Sequence, residues 1–222
     1  MAKFGDNADV SINETKCNPG YKGKKVDPDP KQYVYFAFED LGSIGDFDFN
    51  DVVLRVCQTP ETSGKYAVEL CAVGGTLETY IYNDTERISN EVHTYEDGAW
   101  EFGTNTLSST VTRDFIKIAE VSIPAGATPA DLNLCIQVTR EEGAAPIIIS
   151  GAVETKDEDG VTYKIPYRIV VNGDADGKWH WAREYQNITT AYPQFGKWGH
   201  SRESNTGWYK YENGVPSRLV QW

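Results

Sequence analysis

Residues 33–56, Tyr33-Val-Tyr-Phe-Ala-Phe-Glu-Asp-Leu-Gly-Ser-Ile-Gly-Asp-Phe-Asp-Phe-Asn-Asp-Val-Val-Leu-Arg-Val56, read as strand, acidic loop, strand. Val34, Phe36 and Phe38 fall on one face of the first strand, and Tyr33, Tyr35 and Ala37 on the other. Both faces are apolar enough for a strand inside a covered sheet rather than at its solvated surface. Between the strands, Glu39, Asp40, Asp46, Asp48, Asn50 and Asp51 place six oxygen-bearing side chains within thirteen residues. Crowding them between apolar strands costs several kcal/mol in like-charge repulsion unless a cation neutralises them.

Outward from this stretch the pattern stays that of strands. Thr59-Pro60-Glu61-Thr62-Ser63-Gly64 marks a turn before a strand over Tyr66 to Val73. A short strand through Tyr80 to Tyr82 follows, then a polar loop carrying His93, Trp100 and Phe102. Phe115 to Ile123 alternates as a half-buried strand, Leu132 to Thr139 and Ile147 to Val153 are further strands, and Asp157-Glu158-Asp159-Gly160 turns the chain into Tyr163 to Val171. A helical period shows only over Ile188 to Trp198, where Pro193 limits it to about a turn or two. About nine strands with regular turns predict an all-β fold, a β-sandwich or jelly-roll-like domain with one short C-terminal helix. Residues 1–30, polar and ending Asp27-Pro28-Asp29-Pro30, read as an N-terminal arm or linker, and 31–222 as a single β domain.

Composition agrees and excludes several classes. The chain is 40% hydrophobic and 24% charged, ordinary for a globular protein, and its thirteen Tyr, eight Phe and six Trp against one Met favour strands. A net charge of −12 and a pI near 4.7 argue against a nucleic-acid partner, which needs clustered Lys and Arg. No apolar run reaches the roughly 18 residues of a membrane span. Met1-Ala2-Lys3 leads into polar sequence rather than a signal peptide, so the chain reads either as cytoplasmic or as the mature part of an exported protein. Cys17, Cys57, Cys71 and Cys135 lack CxxC spacing, which argues against zinc; the last three sit in apolar runs as small hydrophobes.

In extended chain Asp46, Asp48 and Asn50 share one side while Phe47 and Phe49 take the other, so one side binds and the other anchors. Glu39, Asp40 and Asp51 would complete an all-oxygen shell for Ca2+, aided by a main-chain carbonyl near Phe47, with Gly42 and Gly45 folding the connection back. An EF-hand it is not: the sixth position is Asp51 rather than Gly, the twelfth is Cys57 rather than Glu, and strands replace helices. A glycoside hydrolase would need two carboxyls across a cleft, and neither a Ser-His-Asp order nor HExxH occurs, so the sequence predicts no enzyme. His93, His180 and His200 lack ligand spacing.

A second dense stretch runs from Trp179-His180-Trp181 through Ile188, Tyr192, Phe195 and Trp198 to Trp208-Tyr209. Aromatics at this density either pack over an open end of a β-sandwich or stack against sugar rings. Exposure of Trp179, Trp181 and Trp208 is what a carbohydrate-binding surface would require.

Phe38-Glu39-Asp40 with Gly45-Asp46-Phe47-Asp48-Phe49-Asn50-Asp51-Val52-Val53 resembles the signature of the LruC-type domain family, uncharacterised domains of bacterial surface proteins and lipoproteins. Gly75-Thr76-Leu77 with Glu91-Val92-His93 resembles its middle. Lys164-Ile165-Pro166-Tyr167, Trp179 to Trp181 with Glu184, Ile188-x-x-Ala191-Tyr192-Pro193-x-Phe195-x-x-Trp198 and Trp208-Tyr209 resemble its closing block. The resemblance covers about residues 33–211. It implies an exported protein at the surface of a Gram-negative bacterium, its leader removed, and implies no activity. The expectation is a noncatalytic, Ca2+-stabilised surface module for adhesion or assembly with other envelope proteins; a module binding surface glycans is the alternative, and a glycoside hydrolase the third reading.

Overall fold

The first strand of the motif, β1 (Val34–Phe38), is buried along its whole length. Val34, Phe36 and Phe38 enter one core and Tyr35 and Ala37 another, as the apolar character of both faces predicts. The protein is described here by a computed structural model covering residues 33–41, 45–59, 64–95, 100–124, 126–156 and 162–222. The predicted arm at 1–30, Cys17, Gly42, residues 60–63 and the turn at 157–160 lie outside them.

β1 belongs to a five-stranded antiparallel sheet with β2 (Val52–Gln58), β3 (Lys65–Ala72), β6 (Ile116–Ser122) and β11 (Arg168–Asn172), in the order β11-β1-β2-β3-β6. A four-stranded antiparallel sheet holds β4 (Glu78–Asn83), β5 (Glu86–Glu91), β7 (Leu134–Thr139) and β8 (Ile147–Ile149), ordered β5-β4-β7-β8. β9 (Ala152–Lys156) and β10 (Thr162–Pro166) pair as a separate hairpin. The sandwich core joins Phe36, Leu54 and Leu70 of the first sheet to Ile81, Ile136 and Val138 of the second.

The other face of the five-stranded sheet is covered by the C-terminal segment. Tyr35, Val53, Cys71, Ile169 and Val171 pack against Trp179, Trp181, Ile188, Tyr192, Phe195, Trp208 and Leu219. The fold is therefore a β-sandwich with a third, largely irregular layer. Two short helices lie in that layer, α1 (Ile188–Ala191) and α2 (Phe195–His200), where the sequence predicts one. Pro193 separates them, lacking the N–H a continuous helix would need. Asn187 starts α1, its side chain accepting the Thr189 N–H at 3.0 Å.

Three strand boundaries differ from expectation. β5, a strand of Glu, Arg, Ser and Asn, sits in what reads as a polar loop, because only Ser89 and Ile88 turn inward among solvated neighbours. Ile147 to Val153 divides at Ser150-Gly151 into β8 and β9, and Tyr163 to Val171 divides at Tyr167 into β10 and β11. The buried ring of Tyr167 joins the sandwich core, so apolar character there marks a bend that carries the chain between sheets.

The stacking role expected for Trp179, Trp181 and Trp208 is corrected by burial: their exposures are 2%, 0% and 1%. Trp181 also donates its indole N–H to the Asn105 carbonyl at 2.8 Å. These rings are core of the third layer and offer no open face to a sugar. Cys57, Cys71 and Cys135 are buried within strands, as expected of small hydrophobes.

Candidate metal centre

The acidic residues gather where β1 ends, between the central sheet and the C-terminal layer. Glu39 and Asp40 directly follow β1, and the loop returns through Gly45 to Asp51, just before β2. The return is not extended as predicted: Phe47 and Phe49 adopt left-handed backbone, with φ of 58° and 57°. Such conformations cost a bulky residue about 1–3 kcal/mol each and persist only where surroundings fix them. Packing supplies the fixation. The Phe47 and Phe49 rings lie 4.9 Å apart and each meets Phe195, at 6.0 and 5.9 Å. Anchoring by the phenylalanines thus holds, through a twisted rather than a pleated chain.

Among the described residues, four hydrogen bonds join this loop to the segment 182–188. Asp48 Oδ2 accepts the Tyr185 N–H at 2.9 Å, and the Phe47 carbonyl, expected as a ligand, accepts the Ile188 N–H at 2.8 Å. Asn187 Nδ2 donates to the Asp46 carbonyl at 3.0 Å, and Asn50 Nδ2 to the Ala182 carbonyl at 3.1 Å.

Glu39, Asp46 and Asp48 converge, each offering an oxygen within 4.8 Å of the others. Glu39 is 1% exposed and Asp48 fully buried, with Asp46 at the rim. Glu39 Oε1 accepts the Phe49 N–H at 2.6 Å and Asp48 Oδ1 the Asn50 N–H at 3.2 Å. Asp40 and Asp51 form an adjoining pair, Asp51 Oδ2 accepting the Asp40 N–H at 2.7 Å. Among the described residues no salt bridge from Lys or Arg reaches these carboxylates; the acidic partners of Arg55 and Lys117 are Glu69 and Glu120.

Unneutralised, the group resists ionisation. Burial, then the charges of Asp46 and Glu39, pushes Asp48 up to about 10. Burial likewise raises Glu39 to about 7, and the neighbouring Asp46 and Asp40 add to the shift. Asp40 and Asp51 are both raised, first by burial.

Asn50 is wholly buried, and its Oδ1 has no hydrogen-bond partner. Leaving such an oxygen unpaired costs about 1–3 kcal/mol, so it reports a missing positive neighbour. Glu184, from the C-terminal layer, stands beside it. A Cβ at Gly74 would lie 2.1 Å from Asn50 Oδ1 and 2.6 Å from Glu184 Oε2. Glu184 is 8% exposed, accepts from Thr106 Oγ1 at 2.9 Å and is raised to about 7, chiefly by burial. The loop's own spacing could not reveal Glu184; its one signal is an acid inside a run of buried aromatics. An all-oxygen set with an orphaned amide oxygen fits a hard cation such as Ca2+ and not zinc, which prefers sulfur and imidazole. The nearest histidine, His93, has Nε2 3.1 Å from the Gly75 carbonyl and Nδ1 2.6 Å from Glu91.

Fold and site together define a three-layered all-β protein with a buried, all-oxygen acidic centre. Residues 4–59 match the model of a domain of unknown function, DUF4114, and residues 151–209 that of another, DUF4842. The first match takes in the acidic loop together with most of the predicted arm, and the second the closing aromatic block; each covers well under half of the chain. No curated protein matches. Among solved structures, the chain is similar to one described as a "Putative lipoprotein from Bacteroides ovatus", at 17% identity and a TM-score of 0.46, covering 86% of this chain and 75% of that one.

Proposed function

We propose that the protein is a noncatalytic module of the bacterial cell surface, its fold held by Ca2+ at Glu39, Asp46 and Asp48, serving adhesion or assembly with other envelope proteins. The observation that carries the metal part is the convergence of these three carboxylates, in a loop that also holds the unpartnered Asn50 Oδ1. Ca2+ suits the set because it takes six to eight oxygen ligands in flexible geometry, whereas Mg2+ demands a regular octahedron and keeps its waters. Burial supports the noncatalytic part. Glycosidases need two carboxyls facing a substrate across a cleft, and here Glu39 and Asp48 are sealed under the C-terminal layer. A glycan-binding role for Trp179, Trp181 and Trp208 is not carried forward, since none has an open face.

The surface part is supported by the resemblance of the acidic loop and closing block to LruC-type domains, and by the acidic charge, which suits cations or a basic partner. Chelation tests the metal part: melting temperature in excess Ca2+ should exceed that in EDTA, and Asp48→Ala should abolish the difference. A melting curve indifferent to both would remove Ca2+. Protease shaving of intact cells producing the full-length protein tests the surface part, and recovery only from the cytoplasm would remove it.

A further inference from the structure

We infer that the cation's shell is closed from the C-terminal layer by Glu184 with Asn50 Oδ1, so that ion binding and docking of that layer are one equilibrium. The inference rests on the Ca2+ reading and goes beyond it, adding a ligand remote in sequence and a conformational consequence.

Three observations carry it. Asn50 Oδ1 is fully buried and unpartnered, and its amide nitrogen is already committed to the Ala182 carbonyl, which fixes where the oxygen points. Glu184 Oε2 borders the same spot, oriented by the Thr106 hydroxyl at 2.9 Å. Gly74 is what lets the two oxygens pack so near one another: a Cβ there would lie 2.1 Å from Asn50 Oδ1 and 2.6 Å from Glu184 Oε2, closer than any side chain tolerates. Thr106 already donates to Glu184 Oε2, but Asn50 Oδ1 near it has no donor, and a cation would give that oxygen a positive partner while neutralising the buried carboxylate.

The coupling follows from connectivity. Glu184 directly precedes Tyr185, whose N–H donates to Asp48 Oδ2, and Ile188 N–H reaches the Phe47 carbonyl. A cation drawing Asp48 and Glu184 together strengthens that seam, and a docked seam holds Glu184 at the cation. Each event favours the other by the same factor, as linkage requires.

The test uses the full chain. Calorimetric Ca2+ titration should show binding by the wild type, weakened about tenfold or more in Glu184→Gln, since ligand charge count tunes affinity. Glu184→Asp should recover part of it. Hydrogen exchange on the wild type, which needs no variant, should show Tyr185 and Ile188 amides losing protection in EDTA while Phe36 and Leu54 amides keep theirs. Absence of Ca2+ binding by the wild type would overturn the Ca2+ reading itself. Equal affinity in wild type and Glu184→Gln, or Tyr185 and Ile188 protection unmoved by chelation, would overturn this inference and leave that reading standing.

Discussion

Replacing Asp48 by Asn should stabilise the protein without Ca2+ and lose or reverse that gain in its presence. Asp48 is fully buried and pushed up to about 10, first by burial and then by Asp46 and Glu39. At pH 7 without metal, the folded protein holds a proton there that the unfolded chain, with a pKa near 3.9, has released. That is about three pH units at 1.36 kcal/mol each, a cost of about 4 kcal/mol. Asparagine has the same shape and no charge, so it removes this cost. It keeps one oxygen for two donors, the Asn50 N–H at 3.2 Å and the Tyr185 N–H at 2.9 Å. The donor left facing an NH2 group costs about 1–3 kcal/mol. Asp48→Asn should therefore stabilise the chelated protein by about 1–3 kcal/mol, raising Tm by several degrees at about 2–4 °C per kcal/mol. In Ca2+ at a hundred times Kd the wild type gains about 2.7 kcal/mol that the variant largely loses. Scanning calorimetry at pH 7 in EDTA and in excess Ca2+ reads both, with circular dichroism confirming the fold. Equal lowering of Tm in the two buffers would refute the reasoning.

Glu39 and Glu184, both raised to about 7, and Asp48 give the chelated protein a definite pH dependence. An acid whose folded pKa is raised contributes stability below its unfolded pKa and loses it as pH climbs, so Tm in EDTA should fall from about pH 4.5 to 7, where all three groups contribute, and more gently above that through Asp48, and should flatten in Ca2+; a Tm rising over that range in EDTA would contradict this. Gly74→Ala places a methyl 2.1 Å from Asn50 Oδ1 and 2.9 Å from the Asn50 carbonyl, so it should cost about 1–3 kcal/mol and weaken Ca2+ binding. Gly151→Ala, with nothing within 4 Å, serves as control, and equal denaturation midpoints for the two would exclude the cradle. Trp181→Phe loses the 2.8 Å bond to Asn105 and should cost about 1–3 kcal/mol by urea unfolding; a neutral change would mean the ring is not the core element described.

The sandwich was legible because β1 is apolar on both faces and β2 nearly so, interrupted only by Arg55 before its terminal Gln58, a pattern that fits strands covered on both sides. Period-2 patterning could not show that the outer cover is the chain's own C-terminal segment. Trp179, Trp181 and Trp208 have the same composition whether they stack on a sugar or on one another, and packing geometry alone separates the two. At the candidate site, Glu39, Asp46 and Asp48 were readable from acid density. The left-handed turns at Phe47 and Phe49 were not, since neither residue favours positive φ and tertiary packing imposes it. Glu184 was hidden by its distance along the chain. β5 escaped because a strand facing solvent on one side with charged residues resembles a loop in composition.

The hydrogen bond from Tyr185 to Asp48 spans 137 residues. Contacts so remote form late, because the loop entropy of the intervening chain must be overcome before they return anything. A ribosome must therefore deliver almost the whole domain before the acidic loop meets the segment that closes it. Until then its carboxylates stay in water, where their crowding costs little. The centre thus waits for the C-terminal part of the chain, as does the pairing of Val34 in β1 with Asn172 in β11, and damage to either remote half should appear as slow maturation of the protein before it appears as instability.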